Sequence, residues 1–247
     1  MAISQLSLTD FRNLRSTTLD FNPQFNFICG DNGSGKTSLL EAIYVLCQAH
    51  SFRTHQLKQC INYDKSGFLL FGRFDGHKAG LGKNDKKLDI HVDGESIKRR
   101  SELVRLTPIN IVNADSFVLM DGAPQKRRAF LDWCMFHVEP EYAEQWRLFQ
   151  HALRQRNRLL KSRQDIKLLD YWDQHLIEPS LILSSMRRDY CHRLQALVEI
   201  ELCKILSGIP LELEYQRGWP EDLSLADVLK SNRERDIRSG FTNAGIH

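Results

Sequence analysis

The chain opens with strand-like alternation and closes with helical spacing. Leu6 and Leu8 alternate with polar neighbours, and Thr17, Leu19 and Phe21 do so again, which predicts two strands. Asn22-Pro23 marks a turn. Phe25 to Cys29 follows, a short and mostly apolar run of the kind that forms a buried strand. Leu39, Ala42, Ile43 and Leu46 then share one face of a helix. Residues 50–66 are polar and irregular. Phe68 to Phe74 runs into Asp75-Gly76, and Leu88, Ile90 and Val92 alternate up to Asp93-Gly94. Asp-Gly tolerates the positive φ that two-residue hairpin turns need, so an antiparallel β layer is predicted. A further buried strand is expected at Ile109 to Val112, with Pro108 at its start, where a missing N–H costs least.

From Asp121 the texture is helical. One long helix runs through Trp146, Phe149, Leu153 and Leu160, and another covers Leu181 to Leu206, ended by Gly208 and Pro210. Leu211, Leu213 and Tyr215 alternate with Glu212, Glu214 and Gln216, which predicts a strand, and residues 225–238 read as a short polar helix closed by Gly240. The expected organisation is a first lobe over 1–120, a helical second lobe over 121–208, and a strand and helix over 209–247 that return towards the first lobe.

Between the apolar run and the first helix stands Gly30-Asp31-Asn32-Gly33-Ser34-Gly35-Lys36-Thr37, which spells G-x-x-x-x-G-K-T, the Walker A phosphate loop. Glycines without a Cβ let the backbone turn tightly and aim its N–H groups at phosphate oxygens. Lys36 would reach the β- and γ-phosphates, and the Thr37 hydroxyl would face Mg2+. The start of the following helix adds free N–H groups and the positive end of its dipole. Strand, loop and helix come in the order such a site requires, so ATP with Mg2+ is the expected ligand. The amphipathic hairpin ahead of the loop strand argues against kinases and small GTPases, many of which begin with that strand.

Composition changes this picture little. The 247 residues suffice for one large or two small domains, 42% of them are hydrophobic, and the net charge is +3, too mild to name a partner. No run is apolar enough to span a membrane and no signal-peptide pattern opens the chain, so a soluble, cytoplasmic protein is expected. Six cysteines without a C-x-x-C pair suit reduced thiols, Cys29 is expected to pack in its strand, and no metal site besides Mg2+ is indicated. Charge does cluster locally. Arg154, Arg158 and Lys161 fall at i, i+4 and i+7 on one helix face, and Arg127 and Arg128 sit side by side. The first group is a candidate for DNA phosphates or else a solvated face, and the second for a DNA or nucleotide contact or else a structural salt bridge. No aromatic residues interleave them, so stacking on single-strand bases is not indicated.

The loop spelling, with Phe11-Arg12-Asn13 on the first strand, resembles the ABC-type ATPase heads of the SMC and DNA-repair group. Leu39-Leu40-Glu41-Ala42-Ile43-Tyr44, His50-Ser51-Phe52-Arg53, Gln125 to Trp133 with its Arg127-Arg128-Ala129-Phe130-Leu131-Asp132 core, and Leu153-Arg154-Gln155-Arg156-Asn157 are similar to stretches of the RecF family. By these motifs, spread over nearly the whole chain, the sequence is identified as a member of that family. The resemblance implies an α/β P-loop fold of ABC-ATPase type, with a mixed sheet, an antiparallel β layer and a helical second lobe. It implies ATP-gated homodimerisation on DNA, gapped or duplex with single-strand junctions. It also implies action with RecO and RecR in loading recombinase during repair and replication-fork maintenance. Carried over by position, Gly30 to Thr37 bind ATP and Mg2+, and Arg12 and Asn13 approach the nucleotide.

The sequence departs from the family pattern near its end. No apolar strand ending in Asp-Glu and no L-S-x-G-Q signature is present, no glutamine stands out for a Q-loop, and Ile246 replaces a proline of the family. Negligible hydrolysis is therefore expected, and the chain reads as shortened. Two other functions fit the loop less well: a P-loop phosphotransferase acting on a small molecule, with Arg127 and Arg128 on a lid, and a nucleotide-independent module binding DNA or protein.

Overall fold

The computed structural model describes residues 2–163, 166–206, 208 and 210–246, and divides the chain into units 1–113 and 114–247. The first unit is built on one antiparallel sheet. Its strands are β1 (Ile3–Thr9), β2 (Thr17–Asp20), β3 (Gly67–Phe74), β4 (His77–Asn84), β5 (Leu88–Val92) and β6 (Glu95–Ser96), ordered β2-β1-β3-β4-β5-β6. The predicted turns close it. Gly76 has φ 79°, and Asp93 and Gly94 both take positive φ, 51° and 92°, as a type I′ turn requires. Alternation decides the faces. Leu6, Leu8, Phe68, Leu70, Ala79, Leu81 and Ile90 are buried, whereas Leu69 and Arg73 point outwards. Helix α1 (Lys36–Gln48) joins this core through Ala42, Val45 and Leu46, and α2 (Arg100–Leu106) adds Leu103. Phe11 meets Phe68 edge to face with ring centroids 5.0 Å apart.

Two predicted buried strands do not form. Residues 25–29 and 109–112 join no sheet among the described residues, and Phe25, Phe27 and Val112 are 77%, 90% and 85% exposed. Cys29 is likewise exposed rather than packed. An apolar run becomes a strand only where a neighbour takes its backbone N–H and C=O groups. The edges of this sheet are β2 and β6, and neither pairs with these segments.

The second unit is helical: α3 (Val118–Asp121), α4 (Pro124–Val138), α5 (Tyr142–Ser162), α6 (Leu169–Ile205), α7 (Leu225–Ser231) and α8 (Arg233–Ser239). Helix α6 begins a full twelve positions ahead of the expected start at Leu181 and runs through Pro179. A proline inside a helix removes a backbone donor, and here the Ser180 hydroxyl donates to the Leu176 carbonyl at 2.6 Å beside it. Residues 225–239 form two helices that meet at Asn232, and Gly240 closes the second with φ 77°. Leu211–Tyr215 keeps the predicted alternation of half-buried and exposed residues but is not a strand. The Gln195 side chain of α6 takes the place of a neighbouring strand, donating to the Leu211 carbonyl and accepting from the Leu213 N–H, both at 2.7 Å. Residues 210–246, expected to return towards the first lobe, contribute Trp219, Leu225, Val228, Leu229, Ala244 and Ile246 to the core of the second unit.

Candidate nucleotide site

The loop has the backbone its spelling predicts. Gly30, Gly33 and Gly35 all take positive φ, at 150°, 82° and 100°. A Cβ on Gly35 would lie 2.5 Å from Leu14 Cδ2, so any other residue there needs the Leu14 side chain to move as well as a left-handed dihedral. A Cβ on Gly33 would meet nothing within 4 Å, so there the constraint is the dihedral alone. Helix α1 begins at Lys36 with Gly35 as its N-cap and no side chain bonded across the cap. Its first N–H groups are therefore open to an anion. Lys36 Nζ bonds the carbonyls of Gly30 and Asp31 at 2.7 and 2.8 Å, holding the loop round. Thr37 is exposed at the second helical position, where its hydroxyl can serve a hard cation such as Mg2+.

Arg12 and Asn13 flank the loop in different ways. Asn13 Nδ2 donates to the Gly33 carbonyl at 3.2 Å, and its Oδ1 accepts from Ser38 Oγ at 2.8 Å, so one side chain ties the loop to α1. Arg12 has φ 52°, in the left-handed region. Its Nε and Nη2 donate to Glu41 at 3.0 and 2.7 Å, and its Nη1 to the Gln59 carbonyl at 2.7 Å. At least three of its five donors are therefore engaged within the fold. A cavity of about 740 Å3 opens beside Asn13 and Ser38, with Arg12, Arg53, Lys58, Gln59 and Tyr63 on its wall.

Glu41 is the residue that sequence reasoning passed over. It belongs to the helix motif but lies 0% exposed, with Ser38, Val45 and Gln48 on the buried side of α1. Besides Arg12 it accepts from Ser51 Oγ at 2.5 Å, from Arg53 Nη1 at 3.3 Å and from Cys60 Sγ at 3.5 Å. Burial alone would raise its carboxyl pKa. The hydrogen bonds from Arg12 and Ser51 and the charges of Arg12 and Arg53 outweigh burial and hold it below the ordinary value. The same pair raises the Arg12 guanidinium, chiefly through its hydrogen bond to Glu41. The Cys60 thiol is pushed up to about 12, first by burial and then by the charge of Glu41. The available signal was spacing: a carboxylate three residues after Ser38 and four before Val45 sits on the buried side of the helix.

The five basic candidates, Arg127, Arg128, Arg154, Arg158 and Lys161, are all exposed. Arg154, Arg158 and Lys161 are exposed on α5 and form no ion pair among the described residues. Arg156, between them in sequence, is 0% exposed and bonds Asp173 at 2.6 Å, Asp236 at 2.7 Å and the Thr242 hydroxyl at 2.8 Å. Asn157 accepts from the Thr242 N–H and hydroxyl, both at 2.8 Å. Most of the Gln155-Arg156-Asn157 motif is thus a clamp on residues 236–242. Arg127 is exposed, and its Nη1 donates to the Leu119 and Gly122 carbonyls at 3.4 and 3.0 Å. Arg128 is exposed.

A family profile described as the RecF/RecN/SMC N terminal domain matches residues 2–118. Curated relatives named DNA replication and repair protein RecF match nearly the whole chain. The one from Stutzerimonas stutzeri is 41% identical over 252 aligned residues, and the one from Pseudomonas paraeruginosa is 39% identical. Each match covers 99% of this chain and 68% of the relative.

The chain belongs to the RecF family.

Its fold agrees with that assignment. A solved structure described as the recombination mediator protein RecF bound to ATP in the RecFOR pathway superposes with a TM-score of 0.87 at 26% identity, over 100% of this chain and 71% of that one. A second, described as RecF with ATPγS, superposes with the same TM-score over 99% of this chain. The ABC-type P-loop fold expected from the motifs is therefore the fold of the family.

Proposed function

We propose that this chain binds ATP with Mg2+ at Gly30–Thr37 and couples that occupancy to DNA in recombinational repair and replication-fork maintenance. One observation carries the nucleotide reading: three positive-φ glycines deliver an uncapped helix start and Lys36 to a single concave loop. Relatives solved with ATP and ATPγS support it. Magnesium, when bound, supplies positive charge against the phosphates. Thr37 is the residue that would hold it, while Lys36 leaves the Gly30 and Asp31 carbonyls to meet phosphate. The cavity beside Asn13 has the size and polar wall to take the base and sugar.

DNA contact is assigned to Arg154, Arg158 and Lys161 with Arg128, because these cations are exposed, whereas Arg156 is buried between acids and the exposed Arg127 gives its Nη1 to the Leu119 and Gly122 carbonyls. ATP-dependent pairing of two copies on gapped or junction DNA, and action with RecO and RecR, complete the proposal. The RecFOR pathway in which the solved relative is described supports the RecO and RecR part. The deciding test is calorimetry with Mg-ATP on wild type and Lys36→Ala. Saturable uptake lost in the variant supports the reading, and no uptake by folded wild-type protein ends it.

A further inference from the structure

The loop is braced from outside by a carboxylate that does not touch it. Glu41 draws donors from three separate stretches of the first unit: Arg12 after β1, Ser51 and Arg53 after α1, and Cys60 in the short 3-10 helix of Leu57–Cys60. A buried carboxylate is costly unless every lone pair is used, and a fold that needed only packing here would do as well with an apolar side chain. The charge instead fixes direction. Arg12 stands in the left-handed region that non-glycine residues avoid, and its guanidinium is locked onto Glu41 in a two-bond pair. The next residue, Asn13, is thereby delivered to the Gly33 carbonyl and to Ser38 Oγ, and Leu14 to the space over Gly35.

We infer that Glu41 is a positioning residue for nucleotide binding, acting through Arg12 and Asn13 to hold the phosphate loop in its open curve. The inference rests on the nucleotide reading given above. Glu41 meets no phosphate. It sets the backbone turn at Arg12, and with it the hydrogen bond that keeps Gly33 in place. On the far side it holds Ser51 and Arg53, so the loop and the cavity wall share one anchor.

The test is titration of the 247-residue chain with a fluorescent ATP analogue and Mg2+, comparing wild type, Glu41→Gln, Arg12→Gln and the double variant. Glu41→Gln is expected to weaken the analogue about tenfold or more, the scale seen when an outer-shell partner of a metal ligand is removed. On the Arg12→Gln background the same change is expected to cost less than about twofold, because coupled residues do not add. Glu41→Asp, which keeps the charge, is expected to recover part of the loss. A folded Glu41→Gln variant with wild-type affinity overturns the inference, and so does an undiminished loss on the Arg12→Gln background. Should Glu41→Gln not fold, the Arg12 Nε–H resonance of the wild-type protein decides: a shift on adding Mg-ATP supports the linkage, and an unmoved signal overturns it. Wild-type protein that takes up no analogue refutes the nucleotide reading itself, an outcome the wild-type titration separates from the others.

Discussion

Arg12 and Glu41 face each other side on, Nε to Oε2 at 3.0 Å and Nη2 to Oε1 at 2.7 Å, with the carboxylate buried and the guanidinium only partly so. Twenty-nine positions separate them in sequence. The pair joins the end of the first strand to the helix that follows the phosphate loop, and the loop lies between the two.

This pair makes stability depend on acid. The folded-state pKa of Glu41 is lowered from 4.5, so the unfolded chain holds its proton more tightly than the folded one. The stabilisation is complete above the unfolded value and is lost as pH falls through the folded one. Urea unfolding of wild type and Glu41→Gln should therefore differ most near neutrality and converge in acid. A gap that stayed constant down to pH 2 would contradict the assignment.

Two glycines of the loop should respond differently to the same methyl group. Gly33→Ala pays only the left-handed dihedral, about 1–2 kcal/mol, because its Cβ points into open space. Gly35→Ala pays that and also drives a Cβ to within 2.5 Å of Leu14. Thermal unfolding should rank Gly35→Ala well below Gly33→Ala, and calorimetry should find the greater loss of Mg-ATP binding there too. Equal effects would mean that Leu14 yields freely.

In the second unit, Arg156 lies between the carboxylates of Asp173 and Asp236. Arg156→Met removes the cation and leaves both acids facing an apolar chain. A loss of about 3–5 kcal/mol is expected, as for other broken buried pairs. Arg156→Lys should recover little, because one ammonium cannot reproduce the geometry of separate Nε and Nη1 donors. Chemical denaturation followed by tryptophan fluorescence, with Trp172 and Trp219 in this unit, reads the result.

The basic face of α5 should appear as a salt slope. Each phosphate contact on duplex DNA contributes about 0.9 to the log–log dependence of affinity on salt. Replacing Arg154, Arg158 and Lys161 together by alanine should flatten the slope by about 2.7, if each meets one phosphate. Arg127→Ala should leave the slope in place and lower stability, since its donors go to the Leu119 and Gly122 carbonyls. Fluorescence anisotropy at several salt concentrations separates the two behaviours.

Local rules carried the sequence a long way. The eight residues from Gly30 to Thr37 determine the loop, because glycine dihedrals and the start of a helix need no distant partner. The Asp-Gly turns and the alternation around them fixed an antiparallel layer for the same reason, and Gly240 ended its helix where expected. Tertiary structure decided what depends on partners. Phe25–Cys29 and Ile109–Val112 have the composition of buried strands and are not strands, and Leu211–Tyr215 has the alternation of a strand yet lies against a glutamine side chain. Arg156 stands in sequence between the exposed Arg154 and Arg158 and is buried between two acids, while Glu41, one residue of a helix motif, is an internal anchor. Periodicity reports which way a side chain points relative to its own backbone. Only the folded chain supplies the opposite charge, or the neighbouring backbone, that makes burial of a polar group favourable.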